Sequence, residues 1–248
     1  MKIPLLLVCL TVFIFPVEAQ RRRAAAPPKH REIGQTAIVA DETLSVLRER
    51  PSLFADSIQR VGRGRQVRIL AVAEADGVRF FRVAAPPARV GWIQADAVFG
   101  KFREGDDERM ARLVQASDGF DQIELATSFL KLFPASKFRP AVLLLMGDML
   151  EDTAAKLTRD ANNRLSRREM AASAAPMHSY YLNFVSLDRY RKLGITFLFN
   201  SNTRQFHYDG KSWKELVQKH AGSAEAAEAT KRMELLKSKM ERTERAAN

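Results

Sequence analysis

The hydrophobic pattern of this 248-residue chain changes its period near residue 100. Between residues 37 and 100, short runs rich in Val, Ile and Phe alternate with turn residues, which is typical of β-strands. From Asp106 onward, apolar residues recur three and four positions apart, which places them on one face of an α-helix. The chain is therefore predicted to be a multidomain α+β protein with a strand domain at 37–100 and a helical domain at 101–248.

The strand domain is predicted to be a small five-stranded β-barrel. Gly64, Asp76-Gly77 and Pro86-Pro87 supply turns between its apolar runs. Five short strands in about 60 residues are typical of a small barrel. The predicted strands cover residues 37–39, 44–47, 66–72, 78–83 and 90–93.

Three motifs of this domain stand in the order and at the spacing of a known family. Residues 44–48 with Pro51 are similar to an L-N-V-R strand and its following proline. Residues 64–70 are similar to a glycine turn before a V-x-V-L strand, and residues 91–93 to a closing G-W-V strand. Together they resemble a bacterial Src-homology-3-like domain. The resemblance implies a barrel that binds cell-wall peptide or a protein partner.

The same resemblance makes Trp92 and Phe81 the candidate binding residues of the strand domain. Eukaryotic relatives grip proline helices on a shelf of Tyr and Trp. Residues 37–100 contain no Tyr and one Trp, so recognition of proline helices is not predicted. Packing inside the barrel is the alternative role for both side chains.

The helical domain contains one segment that is apolar on nearly all sides. Helices are predicted at 106–116 and 120–133, and Pro134 ends the second of them. Residues 140–150 open a further helix, which other elements must cover on several sides. The last helix, 223–245, is predicted to be a solvated cap because opposite charges stand at helical spacing.

A motif around the apolar helix resembles the tetratricopeptide-type repeat of bacterial envelope proteins. Residues 133–141 are similar to its Y-P-x-S-x-Y entry, and Gly147 stands where a neighbouring helix approaches closely. Arg159 and Asn163 stand where small or aromatic residues pack in that repeat. A weaker match to the same repeat pattern occurs at 213–233. The resemblance therefore implies two repeat-like helical hairpins that flank an irregular insert.

The insert, at about 151–210, carries the remaining candidate binding residues. Residues 195–199 and 205–208 predict a β-hairpin. Aromatic side chains here can line a peptide or glycan groove or pack in the core. The candidates are Tyr180, Tyr181 and Tyr208. His207 and Asp209 offer two ligands, which is too few for a metal site, so neither a metal nor another cofactor is predicted.

Residues 1–19 have the pattern of a cleaved secretory signal peptide. A lysine near the start precedes an apolar stretch at 5–15, and cleavage is predicted between Ala19 and Gln20. The stretch is shorter than a membrane span requires. The mature chain is therefore predicted to be periplasmic or secreted. The alternative is an uncleaved N-terminal membrane anchor, because three arginines follow directly.

Residues 20–36 are predicted to be a flexible basic linker. Prolines, like charges and a low apolar content leave little to bury. Five basic residues against one acidic residue make it the densest positive segment of a chain with a net charge of +11. Arg21, Arg22 and Arg23 are candidates for peripheral contact with an anionic membrane surface, and a solvated spacer is the alternative.

Composition limits the chemistry of the mature chain. Cys9 is the only cysteine and lies in the predicted signal peptide, so a cysteine nucleophile and a Cys-ligated metal are excluded after cleavage.

The leading prediction is a non-enzymatic exported cell-envelope adaptor that binds a protein or peptidoglycan partner. The alternatives are an envelope hydrolase that uses carboxylates and a polyanion-surface binder. Nucleic acid is not predicted as a partner, because the basic residues are scattered without interleaved aromatics.

Overall fold

A computed structural model describes residues 30–174 and 176–245 of the chain. The predicted signal peptide, its cleavage site at Ala19 and Gln20, and the segment Arg21–Arg23 lie outside the described residues.

The first described segment, 30–36, belongs to the predicted linker and packs on the strand domain. It forms a turn and the first residue of a strand. The Gly34 N–H donates to the carbonyl oxygen of Ile69 at 2.8 Å, and the Glu32 carboxylate lies 2.7 Å from the guanidinium of Arg79. The rest of the predicted linker lies outside the described residues.

The strand domain is an open antiparallel sheet. Its strands are β1 (Thr36–Val39), β2 (Val46–Arg48), β3 (Ser57–Arg60), β4 (Gln66–Ala75), β5 (Val78–Ala85), β6 (Arg89–Gln94) and β7 (Val98–Phe99). In the described residues these seven strands pair in the order β3-β2-β6-β5-β4-β1-β7, and the edge strands β3 and β7 are not paired with each other. The predicted five-stranded closed barrel is therefore wrong.

The two strands that the sequence pattern missed lie at the two edges of this sheet. β3 reads Ser-Ile-Gln-Arg and has one apolar residue, while β7 has only two residues. β3 pairs with β2, and β7 pairs with β1 through Val39 opposite Val98. Because each extends an edge outward, the sheet gains two strands without closing on itself.

The sheet builds its own core mainly from medium-sized and small side chains, together with the fully buried Phe81. The alternation of β4 buries Val67 and Ile69 while it exposes their neighbours, as expected for a sheet with one covered face. Ile93 of β6 and Val83 of β5 complete the centre. Gly91 of β6 has no space for a side chain, because an added Cβ atom would lie 2.8 Å from the carbonyl oxygen of Arg48.

Eight α-helices and a two-stranded hairpin make up the helical domain within the described residues. The helices are α1 (Asp106–Ala116), α2 (Gly119–Leu132), α3 (Arg139–Arg164), α4 (Arg167–Ser173), α5 (Met177–Leu182), α6 (Asp188–Lys192), α7 (Lys211–Lys219) and α8 (Ala224–Arg245), and the hairpin strands are β8 (Phe197–Asn200) and β9 (Gln205–Tyr208). α3 continues far past the predicted 140–150, so the polar start of the predicted insert is helical.

The long helix α3 organises the packing of the helical domain. Gly147 of α3 lies against the indole of Trp213 on α7, and an added Cβ atom would overlap that ring. The hairpin docks on the same helix, since the Phe206 N–H donates to Thr158 Oγ1 at 2.8 Å. Trp213 is 2% exposed and Phe206 is also buried. The predicted close approach at Gly147 is thus present, and α7 makes it.

A buried carboxylate joins the two domains. Asp106, the first residue of α1, is 1% exposed and accepts a hydrogen bond from the Gly100 N–H at 2.9 Å. Its Oδ1 lies 2.7 Å from Nε of Arg103 and 3.0 Å from a guanidinium nitrogen of Arg109. Farther along the junction, Arg63 of the strand domain pairs with Asp121 of α2 at 2.8 Å.

Among the described helices, none combines the length and the apolar character that a membrane crossing requires.

Candidate functional site

Three of the five predicted binding residues are buried. Phe81 and Tyr181 are fully buried, and Tyr208 is 3% exposed. The Tyr181 ring stacks on Phe199 with centroids 4.3 Å apart, and Tyr208 packs edge-on against Trp213. In this structure these three side chains hold the cores together and offer no surface to a partner.

The other two predicted binding residues, Trp92 and Tyr180, are half-buried and lie in different domains. Trp92 stands in β6 between Arg48 of β2 and Arg82 of β5, its direct cross-strand neighbours. The Tyr180 hydroxyl donates to the carbonyl oxygen of Ala161 on α3 at 3.0 Å. The structure therefore does not bring the predicted binding residues together into one site.

An apolar groove, which we call the α7–α8 groove, runs between the last two helices and strand β8. It has a volume of about 410 Å³, and most of its wall is apolar. Its apolar lining consists of Leu198, Val217, Met233, Leu236 and Met240. Sequence reasoning missed it because α8 reads mainly as a charged helix. The signal that was present is the spacing of Met233, Leu236 and Met240, which places them on one face of α8.

Charged side chains border the α7–α8 groove on both sides. Lys214 and Lys237 contribute positive charge, and Asp209 and Glu234 contribute negative charge. Lys214 Nζ donates to the carbonyl oxygen of Asp209 at 2.9 Å, and Lys237 lies 3.5 Å from the Glu241 carboxylate. An apolar floor with a charged rim is the usual anatomy of a protein-binding surface.

Within the described residues, the half-buried Glu151 and the buried His207 form a clamp in the helical domain. Glu151 of α3 accepts hydrogen bonds from Lys239 Nζ at 2.7 Å and from the Tyr208 N–H at 3.0 Å, and its Oε1 lies 3.2 Å from His207 Nδ1. Burial alone would raise the pKa of this carboxyl, but the hydrogen bonds from His207, Lys239 and Tyr208 lower it to about 2. A carboxylate so strongly held in its ionised form suits a structural tie and is unsuited to general-acid catalysis at neutral pH.

The described residues hold no cluster of three or more His, Cys, Asp and Glu side chains that could bind a metal ion. His207 and Asp209, the pair noted in the sequence, stand at the end of β9, where His207 is 5% exposed and faces Glu151.

Comparison with protein-family models, with curated proteins and with solved structures found no match to this chain. The resemblances to Src-homology-3-like and tetratricopeptide-type proteins therefore stay predictions.

Proposed function

We propose that this chain is a non-enzymatic, exported adaptor of the bacterial cell envelope that binds an amphipathic helix of a partner protein in the α7–α8 groove. The observation that carries the proposal is the groove itself, an apolar channel of about 410 Å³ bordered by charged side chains. Contiguous apolar surface with a polar rim is typical of interaction sites on soluble domains.

The dimensions of the groove favour a helical occupant. Its lining on α8 runs from Thr230 to Met240, eleven residues whose ten steps rise about 15 Å or nearly three helical turns. A helix laid along this length presents apolar side chains at positions i, i+3 or i+4, and i+7. Two of the lining residues, Met233 and Met240, have flexible side chains that adapt to an entering apolar group.

The net charge around the groove favours an acidic occupant, although the rim itself balances Lys214 and Lys237 against Asp209 and Glu234. Residues 211–245 contain nine Lys and Arg against six Asp and Glu, a net charge of +3, and the whole chain carries +11. Several of these acids are paired within the domain: Glu215 with Arg139 at 2.6 Å, and Glu228 with Lys231 at 2.6 Å. A partner helix with apolar residues on one face and acidic residues along its edges complements this surface.

Two observations support a role without bond-making chemistry. The half-buried Glu151 is hydrogen-bonded by three donors, and the predicted mature chain lacks cysteine. The signal-like pattern of residues 1–19 supports the exported location.

Site-specific photo-crosslinking in the producing cells tests the proposal. A benzophenone amino acid replaces Met233, which lines the groove, or Leu235, which lies on the same helix, is 55% exposed and does not line the groove. Crosslinks are expected from position 233 and not from position 235. The crosslinked segment, identified by mass spectrometry, is then synthesised as a peptide.

Calorimetry with that peptide completes the test. Met233→Glu places a charge on the apolar floor and is expected to weaken binding at least about tenfold, whereas Leu235→Glu is expected to change it less than about twofold. Equal crosslinking at both positions, or equal peptide affinity of both variants, would overturn the groove as the binding site. Hydrolysis of purified peptidoglycan by the wild-type chain would overturn the adaptor role.

A further inference from the structure

A second depression, which we call the basic cleft, lies on the face of the helical domain formed by α2, α3 and α6. Its volume is about 430 Å³. The floor is apolar and aromatic, with Leu157 and Tyr190 buried and Phe120 half-buried. The walls are polar, and they include Thr153, Lys156, Arg159, Asn163, Ser186 and Arg189.

Three cations converge on the basic cleft without carboxylate partners. In the described part of the chain, no Asp or Glu oxygen lies within ion-pair distance of Lys156, Arg159 or Arg189. The one acid in the lining, Asp160, lies 3.5 Å from Arg164. Two neighbouring arginines do have carboxylate partners: Arg164 lies 3.5 Å from Asp160, and Arg191 lies 3.1 Å from Asp188.

The position of Arg189 is fixed before any ligand arrives. Its guanidinium lies 4.8 Å from the ring centroids of both Phe120 and Tyr190, and it donates to the Tyr190 hydroxyl at 2.8 Å. Stacking on aromatic rings satisfies the faces of a guanidinium and leaves N–H groups at its edge for an anion. A planar fork held in this way binds a phosphate or carboxylate with little further loss of side-chain entropy.

The sequence of α3 explains how the other cations reach the same place. Thr153, Lys156, Asp160 and Asn163 follow one another at intervals of three and four, so they form a stripe along one face of the helix. Arg159, beside that stripe, and Asn163 are the residues that break the tetratricopeptide-type pattern, where a repeat requires small or aromatic side chains. Both residues line the basic cleft, where a cation and an amide can contact a ligand.

We propose that the basic cleft binds the phosphate group of a small phosphorylated solute. Three cations against one paired acid favour a dianion over a single carboxylate. The volume is that of a small-molecule site, and hydroxyl and amide groups from Thr153, Ser186 and Asn163 can hydrogen-bond the rest of such a solute.

Titration of the isotope-labelled full chain with glucose 6-phosphate tests this inference by NMR. Glucose alone and sodium chloride at matched ionic strength serve as controls. Saturable amide shifts are expected around Gly119, Ser186 and Arg189 with glucose 6-phosphate and with inorganic phosphate, and neither control is expected to produce them. Equal shifts with sodium chloride would overturn the proposal, because the cleft would then respond to ionic strength alone.

A matched pair of double variants locates the binding. Lys156→Gln with Arg159→Gln removes two exposed cations of the cleft, and Arg167→Gln with Arg168→Gln removes two exposed cations of α4 that lie outside it. The first pair is expected to weaken phosphate binding about tenfold or more, and the second less than about twofold. Equal loss in both pairs would overturn the assignment to the cleft.

A vesicle experiment separates a soluble ligand from a lipid headgroup. Phosphatidylcholine vesicles with phosphatidic acid present the same phosphomonoester on a surface. Binding to these vesicles that depends on Lys156 and Arg159, without binding of glucose 6-phosphate, would overturn the soluble ligand. Met233→Glu in the α7–α8 groove is expected to leave phosphate binding unchanged, so failure of this inference and failure of the proposed adaptor role are distinguishable.

Discussion

The two domains bury their cores differently, and the recesses described in the helical domain are more enclosed than the one described in the sheet. In the sheet, neighbouring strands lie about 4.8 Å apart and their side chains alternate, so little space remains between elements. The sheet does have a hollow of about 450 Å³, but it is open and lined largely by small side chains and backbone near Ala84 and Pro86. Helices pack about 8–10 Å apart, and where a third element does not fill the space a groove results.

The two cores also differ in the residue types that they contain. The sheet core consists mainly of Val, Ile and Ala, whereas the helical core holds all the buried tyrosines of the described residues and the buried tryptophan. Each domain also has one tryptophan, Trp92 in the sheet and Trp213 in the helical domain, and the chain has no other. Single-tryptophan variants, Trp92→Phe and Trp213→Phe, therefore report the unfolding of one domain at a time.

Removal of the shared carboxylate should have the largest effect, because it breaks the connection between the domains. Asp106→Ala leaves Arg103, Arg109 and the Gly100 N–H without their common acceptor. We expect a loss of about 3–4 kcal/mol in the free energy of unfolding. Urea unfolding followed by each tryptophan measures it, and both signals should shift. A shift confined to one tryptophan would show that Asp106 serves one domain only.

A pair of glycines compares the packing of the two domains directly. Gly91→Ala adds a Cβ atom 2.7 Å from Leu47 Cγ and 2.8 Å from a backbone oxygen, and Gly147→Ala adds one that overlaps Trp213. Each should cost about 2–3 kcal/mol, as overpacking in a close-packed core does. Thermal unfolding should show Gly91→Ala mainly in the Trp92 signal and Gly147→Ala mainly in the Trp213 signal. Unchanged midpoints in both variants would contradict the close approaches.

Of the three comparisons, low pH should produce the smallest difference in stability between the two domains. The pKa of Glu151 is about 2 in the folded chain and is ordinarily 4.5, so its ionised form stabilises the fold above pH 4.5. Of that contribution, about 2 kcal/mol is lost as the pH falls from about 4.5 to about 3. The counterpart in the sheet, Asp76, also has a lowered pKa, through hydrogen bonds from Ser52 and Leu53, but it is exposed.

The measurement is urea unfolding between pH 7 and pH 3 with both tryptophan reporters. The Trp213 signal should lose more stability than the Trp92 signal over this range. Glu151→Gln is the control, since it removes the titrating group and should reduce the pH dependence of the Trp213 signal. An unaltered dependence in that variant would assign the acid sensitivity to other carboxyls.

Local features of the sequence predicted the elements well where the pattern was strong. α1 begins and ends at the predicted residues, and the hairpin of β8 and β9 lies where alternation and turn residues placed it. Prediction of the sheet failed at β3 and β7, because a four-residue strand with one apolar residue and a two-residue strand carry no periodic signal. Aromatic content suggested a groove at Tyr181 and Tyr208, yet aromatic side chains serve a core equally well.

The sequence by itself determined that strands precede helices along the chain and located the elements with a strong apolar period, and it marked Gly147 as a point of close approach, because these properties depend on neighbours within a few positions. Only the tertiary structure decided whether the sheet closes, which tyrosines are buried and where recesses form. The α7–α8 groove also needs Leu198 of β8, and the basic cleft joins Gly119, Lys156 and Arg189 from three separate helices. Such sites depend on how segments that are distant in the sequence pack together, and the sequence pattern within a few residues does not predict that packing.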